Sequence, residues 1–182
     1  MITVEISPRP RQLGLVRLFC IPMSTSYAVV TSLGACIVAA GLEGICAGTE
    51  VKSFFANLKS PAYSPPLWLW YIIGGLYYAT FFMVLIRVLT SDGNSALMNT
   101  TLALVATMMV ANALWNYLFF RAHKLLASVV VTFLAPVLDV SLFICLFRLD
   151  QIAAWLLVPY LLYRLYSLWW AYGLWKLNRV PW

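Results

Sequence analysis

The chain has 182 residues, of which 63% are hydrophobic and only 10% are charged, and its net charge is +6. A soluble domain carries about 25% charged residues, so a soluble core of this length has no room for so much apolar surface. The twelve Lys and Arg residues lie mostly where apolar runs end, which suits lipid headgroups and argues against a nucleic-acid partner. The composition therefore predicts an all-α, polytopic membrane protein whose first partner is the lipid bilayer.

Residues 1–26 precede the first long apolar run, and we expect them to form an N-terminal extension. They include a short apolar stretch, Leu13–Pro22, but the run that follows is too long for the core of a signal peptide and is expected to be a retained span. Met23 lies just before that run, so a start there would remove the extension. The sequence leaves both Met1 and Met23 open as the start.

Five apolar runs of 20 to 25 residues are each long enough to cross a membrane as a helix. A helix rises about 1.5 Å per residue, so about 20 residues span the roughly 30 Å hydrocarbon core. Short links force neighbouring helices to be antiparallel, which predicts a five-helix bundle over residues 27–179 and a tail at 180–182. Lys and Arg divide almost equally between the two sides, so orientation stays open. The runs are Tyr27–Cys46, Trp68–Leu89, Ala96–Phe120, Leu125–Leu146 and Ile152–Trp175.

The link between the first two runs, Ala47–Leu67, is much longer than the others. Its three prolines, Pro61, Pro65 and Pro66, exclude regular helix and favour an extended, stiff segment. Its aromatic side chains are costly to leave in water, so we predict that the loop folds back over the helix ends as a lid. An ordinary interfacial connector anchored by aromatic residues fits the pattern equally well.

Two asparagines lie inside the third run, Asn112 and Asn116, at a spacing that puts them on one helix face beside Trp115. An amide in lipid needs a hydrogen-bond partner, so this face is expected to point into the bundle. The partner is either a ligand or, as we favour from the sequence alone, a neighbouring helix.

Two charges lie deep inside the last two runs, Asp139 and Arg164. Counted from the turn near Asp150, their depths in antiparallel helices differ by about 4–5 Å. An isolated charge is costly in lipid, so we predict that the two pair. The pair is interpreted first as a tie between helices, and second as a means of placing Arg164 to anchor a ligand carboxylate.

Metal and catalytic chemistry find little support in the sequence. The four cysteines form no C-x-x-C pair, and His123 is the single histidine, so no metal site is predicted. No nucleophile and base are paired by any motif, so we expect no catalytic residues and favour a protein that is not an enzyme.

Four motifs in register with the five runs resemble the TspO/MBR family of tryptophan-rich sensory proteins and translocator proteins, which includes the peripheral-type benzodiazepine receptor. The family's loop has an aromatic pair, Leu, Lys-Pro, and Pro-Pro before Trp, and here the Lys-Pro is split by Ser60. The match runs over about four fifths of the chain. Its residues are Phe54, Phe55, Leu58, Lys59, Pro61, Pro65, Pro66 and Trp68; Asn112, Trp115, Phe119 and Phe120; Pro159, Tyr160 and Leu161; and Trp175 with Asn178.

The resemblance implies a five-helix bundle, often a homodimer, with a loop-covered cavity for porphyrins, haem-related tetrapyrroles, sterols or synthetic aromatic ligands. It implies a receptor or carrier-like binder that requires no cofactor, with porphyrin or haem as a possible ligand. The alternatives are a light-dependent porphyrin-degrading enzyme, a small-molecule transporter and a structural membrane subunit. The expected location is the cell membrane in a bacterium or archaeon, and a mitochondrial or other organelle membrane in a eukaryote.

The motifs and the polar positions together define a set of expected ligand-binding residues. A separate sterol-recognition pattern ends the fifth run, although such patterns are common by chance and interfacial anchoring is the simpler interpretation. The ligand-binding set is Phe55, Pro65, Pro66, Trp70, Gly74, Tyr78, Asn112, Trp115, Phe119, Tyr163 and Arg164, and the sterol pattern is Leu168, Tyr172 and Lys176.

The chain departs from the family pattern at four positions. Gly74 stands where the family has Trp, and Tyr163 stands where the family typically has Trp. Val131 stands where the family has an acidic residue, and Ala171 where it has Asn. Pocket Trp residues are implicated in the family's light-dependent porphyrin breakdown. We therefore expect a pocket of altered shape that binds ligands and lacks this activity.

Overall fold

The computed structural model describes residues 24–179, and every regular element in that part of the chain is helical. Five of the helices are long and apolar enough to cross a membrane, and the short α2 is not. The predicted five-helix, all-α architecture is therefore confirmed. The helices are α1 (Thr25–Ala47), α2 (Val51–Asn57), α3 (Leu67–Leu89), α4 (Ser95–Asn116), which a π-helical turn at Tyr117–Arg121 continues, α5 (Leu125–Leu149) and α6 (Gln151–Asn178).

Two predicted parts of the chain fall wholly or mostly outside the described residues. They are the N-terminal extension up to Met23 and the tail at 180–182. The first spanning helix begins at Thr25, two residues before the predicted start of the apolar run.

Local signals explain where the helices begin and end. The Asn94 side chain accepts hydrogen bonds from the backbone amides of Ala96 and Leu97, which caps α4. Asp150 alone separates α5 from α6, and its carboxylate accepts from the Ala153 amide to cap α6. After α1 the chain turns at Gly48, where φ is +75°, a backbone conformation that favours glycine.

The five long helices form a closed ring in the order α1, α3, α6, α5, α4. Because successive long helices run antiparallel, the loop between α1 and α3 lies at the same end as the start of α5 and the end of α6. We call this the loop end of the bundle. The opposite end holds the main core, in which α3, α5 and α6 contribute Phe81, Val84, Val88, Leu142, Leu146, Ala153 and Leu157.

A second, smaller core lies at the loop end, around Phe119, Trp170 and Leu174. The π-helical turn supplies Phe119, and its ring stacks on Trp115 with centroids 4.8 Å apart. This core leaves a space between itself and the main core, and that space is the cavity of the bundle.

The long loop differs in part from the prediction. Its first half contains the short helix α2, which the prolines further along the sequence obscured, and the parts free of helix are residues 48–50 and the stretch from Leu58 to Pro66. The residues of α2 precede all three prolines, so nothing in their backbone prevents a turn of helix.

Candidate functional site

A cavity of about 350 Å³ lies inside the helix ring, toward the loop end. All six helices contribute to its wall, and the volume falls in the lower part of the range of small-molecule pockets. Most of the wall is apolar or aromatic. The aromatic side chains that line it are Phe55, Trp70, Tyr71, Tyr77, Trp115, Phe120, Tyr160, Tyr163 and Trp170.

The cavity brings together seven of the eleven residues predicted to bind a ligand. They come from four elements that are far apart in sequence: α2, α3, the end of α4 and the middle of α6. They are Phe55, Trp70, Gly74, Asn112, Trp115, Tyr163 and Arg164.

The other four predicted ligand-binding residues lie outside the wall. Pro65 and Pro66 form the connection into α3, where Pro66 is the residue before the first helical turn. Phe119 is buried behind Trp115 in the loop-end core, and Tyr78 lies on α3, where its carbonyl accepts a bond from the Cys36 thiol. These residues support the site from behind.

The predicted sterol pattern also lies outside the cavity. Tyr172 is 47% exposed on the outer face of α6, where its ring packs near Trp175, and the Lys176 side chain is exposed. Leu168 is half-buried on the same helix.

All four positions that depart from the family pattern line the cavity: Gly74, Val131, Tyr163 and Ala171. At Gly74 no atom outside its own helix backbone lies within 4 Å of the place where a Cβ would stand. Trp70 packs against Trp170 with ring centroids 4.6 Å apart and meets Tyr163 edge-on at 6.3 Å. The departures therefore alter the cavity itself.

Trp115 is held in one orientation by its neighbours. Its indole Nε1 donates to Thr132 Oγ1 over 2.9 Å, and its ring lies nearly parallel to that of Phe119. This fixes one face of the indole toward the cavity, where a flat apolar ligand can stack on it.

The predicted pairing of Asp139 with Arg164 is confirmed. Arg164 Nε donates to Asp139 Oδ2 over 2.8 Å, and the same guanidinium donates to the hydroxyl of Tyr160. Both charged side chains line the cavity. The pair thus ties α5 to α6 and forms part of the wall.

Asn112 points into the bundle as predicted, and its partner is a residue that the sequence reasoning missed. Its amide Nδ2 donates to Glu43 Oε1 over 2.6 Å, which joins α4 to α1. Asn116 instead donates to the Asn112 carbonyl on its own helix. The signal for Glu43 was present, since an ionisable residue inside an apolar run marks a functional position.

The loop folds back onto the end of α6, as predicted. Trp170 Nε1 donates to Ser64 Oγ over 2.8 Å, and the Tyr166 hydroxyl donates to the Tyr63 carbonyl over 3.0 Å. The side chain of Asn178 both accepts from the Lys59 amide and donates to the Lys59 carbonyl. With the loop in this position, Phe55 of α2 closes part of the cavity wall.

Sequence comparison adds to this geometry. Protein CrtK of Rhodobacter capsulatus is 25% identical over 138 residues, which cover 73% of this chain and 86% of the relative. A tryptophan-rich sensory protein of Cereibacter sphaeroides is 25% identical over 142 residues, which cover 78% of this chain and 85% of the relative. Residues 32–176 match the TspO/MBR family. With that match and its five apolar helices, the chain is an integral membrane protein and belongs to the TspO/MBR family.

Proposed function

We propose that the protein is a membrane receptor or carrier-like binder that holds a porphyrin, a haem-related tetrapyrrole or a sterol-like hydrophobic ligand inside the helix ring. The observation that carries the proposal is the aromatic-lined cavity beneath the folded-back loop. The family and the name of the relative from Cereibacter sphaeroides support the broader assignment to a membrane sensory or transport role.

The shape of the wall favours a flat, largely apolar ligand. The rings of Trp70, Trp115 and Tyr163 offer stacking faces from three different helices, and offset stacking adds to the free energy of burying apolar surface. The few polar groups at Asn112, Glu43 and the Asp139–Arg164 pair are enough to orient a ligand of this kind.

The size of the cavity gives the loop a role. A volume of about 350 Å³ is near the lower limit for small-molecule pockets, and a tetrapyrrole is a large ligand for it. Entry of such a ligand requires α2 and the loop to move outward, because Phe55 closes part of the wall. The loop in this proposal is a lid that opens for binding.

The decisive experiment titrates the purified full chain in a neutral detergent with protoporphyrin IX and follows the porphyrin absorption band and Trp quenching, in the dark and in light. We expect saturable binding in the dark and no new product in light. Light-dependent product formation would support the enzyme alternative. Absence of saturable binding by protoporphyrin IX, haemin and cholesterol alike would contradict the proposal.

A pair of Trp variants links the binding to the cavity. Trp115→Leu removes a stacking face and should weaken the absorption change. Trp155→Leu is the matched control, because Trp155 is 63% exposed on α6 and does not line the cavity. Equal effects of the two variants would place the porphyrin elsewhere on the protein.

The outer face of α6 is the second place to test for sterols. If cholesterol binds at the pattern that ends in Lys176, it should not compete with protoporphyrin IX, because that pattern lies outside the cavity. Competition between the two ligands would instead place both inside the helix ring.

A further inference from the structure

The charged side chains of the cavity wall lie at two separate seams of the helix ring. Glu43 accepts a hydrogen bond from Asn112 at the seam between α1 and α4, and Arg164 bonds to Asp139 at the seam between α5 and α6. Among the residues of 24–179 that line the cavity, Arg164 is the only one with a positive charge. The wall therefore presents its cation at one seam and a lone carboxylate at another.

Arg164 faces the cavity and stands near its inner end. Tyr160 and Ser167, at i−4 and i+3 from it, line the same cavity, so the three share one face of α6. On this helix only Tyr160 and Tyr163 line the cavity farther from the loop end. The Arg164 side chain is 18% exposed, so its charge is within reach of a ligand that fills the ring.

The guanidinium of Arg164 keeps hydrogen-bond donors for such a ligand. Of its five N–H groups, one on Nε is committed to Asp139 Oδ2 and one on Nη2 to the Tyr160 hydroxyl. Nη1 bonds to no residue of the described chain, yet it is not one of the buried atoms that lack a partner, so it has accessible surface. The fork of Arg can therefore hold a second carboxylate without releasing the first.

Burial and charge both favour a carboxylate at this place and not elsewhere in the cavity. An ionised carboxylate deep in a bilayer is costly unless a cation and hydrogen bonds receive it. Glu43 repels a carboxylate at its own seam, which directs the ligand's charge toward Arg164. Asp139 offsets part of the Arg164 charge, so the attraction comes mainly from the direct hydrogen bonds of Nη1 and Nη2.

We propose that Arg164 anchors a ligand carboxylate through its remaining N–H groups while its Nε keeps the tie to Asp139. The cavity then selects flat apolar ligands with an ionised carboxylate at one edge, and this edge enters first. The inference rests on the proposed function, because it names the ligand class of the same cavity. Among the proposed ligands it favours porphyrin and haem, which carry propionates, over sterols, which carry no carboxylate.

The test compares protoporphyrin IX with its dimethyl ester, which has the same macrocycle and no ionised carboxylate. Each is titrated into the full chain in dodecyl maltoside at about pH 8, where the free acid is ionised. Each affinity is corrected for partition of the ligand into protein-free micelles. We expect the acid to bind about tenfold more tightly than the ester, since charge-assisted hydrogen bonds to Arg164 are lost with the ester.

Two variants assign the preference to Arg164. The double variant Asp139→Leu with Arg164→Leu removes both charges together, so the preference for the acid should disappear while binding of the ester changes little. Asp139→Asn leaves Arg164 without its counter-charge, so the preference should rise. Arg148→Leu is the matched control, because Arg148 is an exposed cation on α5 that does not line the cavity. The wild-type comparison and Asp139→Asn keep the inference testable if the double variant does not fold.

The outcomes separate this inference from the proposed function. Equal corrected affinities of acid and ester in the wild-type chain overturn the inference and leave the binder intact. An acid preference that survives the double variant, or that Arg148→Leu also abolishes, has the same meaning, as does binding of cholesterol alone. If the acid, the ester, haemin and cholesterol all fail to bind, both the inference and the proposed function fail.

Discussion

Arg164 donates from Nε to Asp139 Oδ2 over 2.8 Å, and this contact joins α5 to α6 well inside the membrane-spanning part of the bundle. Each residue lies 14 positions from the loop end of its helix, which is about 21 Å. A one-residue turn at Asp150 already forces the two helices to be antiparallel. The ion pair adds a fixed register and rotation to that arrangement.

Arg164→Leu should lower stability by about 3 kcal/mol or more, because it leaves the Asp139 carboxylate buried without its partner. The measurement is thermal unfolding in detergent. The double variant Asp139→Leu with Arg164→Leu should recover most of the loss, since it removes both charges. If Asp139→Asn leaves folding unchanged while Arg164→Leu abolishes only ligand binding, the pair is a ligand anchor and not a tie.

Asp150 should make stability sensitive to acid. Burial raises the pKa of this carboxyl, but hydrogen bonds from Arg87 and from the Ala153 amide outweigh it, so the pKa lies below the usual 3.8. A lowered pKa in the folded state stabilises the protein above about pH 4, and this contribution is lost as the pH falls further.

Asp150→Asn should therefore cost about 1 kcal/mol at pH 7, through loss of the ion pair with Arg87 and of a negative charge at the start of α6, while the Asn oxygen can still cap the helix. The cost should shrink when thermal unfolding is repeated near pH 3. Asp92→Asn, an exposed carboxylate in the link between α3 and α4, serves as the control and should change neither result. If Asp150→Asn costs the same free energy of unfolding at both pH values, the lowered pKa of Asp150 does not contribute to stability.

Gly74→Leu should fill the cavity from α3. Nothing outside the helix obstructs a side chain at this position, so the variant should fold, with a small gain in helix stability of about 0.5–1 kcal/mol. The absorption titration should show protoporphyrin IX binding about tenfold weaker or more, since the new side chain occupies the space of the ligand. Gly34→Leu on the open face of α1 is the matched control, and an equal effect there would show that the loss is not local to the cavity.

Asn178→Ala should loosen the lid. It removes both hydrogen bonds between α6 and the backbone of Lys59, which hold the loop in its closed position. Faster trypsin cleavage after Lys59 and faster exchange of bound porphyrin are the expected results, with little change in unfolding temperature. The variant Asn178→Asp keeps the acceptor for the Lys59 amide, so its cleavage and exchange rates should lie between those of the wild-type chain and of Asn178→Ala. Unchanged cleavage in both variants would show that other contacts hold the loop.

The pairing of Asp139 with Arg164 was predictable because both residues are charged, lie in lipid-embedded runs and stand at similar depth from one turn. Glu43 carried the same kind of signal, yet its partner Asn112 lies 69 positions away, on a helix that is not its neighbour in sequence. Nothing in the spacing of α1 and α4 shows that they adjoin. The short helix α2 was hidden for a different reason, since the prolines that follow it dominate the local pattern.

By itself the sequence determined that this protein lies in a lipid bilayer and that its spanning elements are helices, because apolar runs of 20 to 25 residues are stable only as helices across a bilayer. It also indicated the family, through motifs read along the chain. The order of helices around the ring, the free space at Gly74 and the hydrogen bond between Asn112 and Glu43 were decided only by the tertiary structure. Those features depend on which helix faces meet, and in lipid that choice follows from packing and hydrogen bonds between distant segments and not from hydrophobicity.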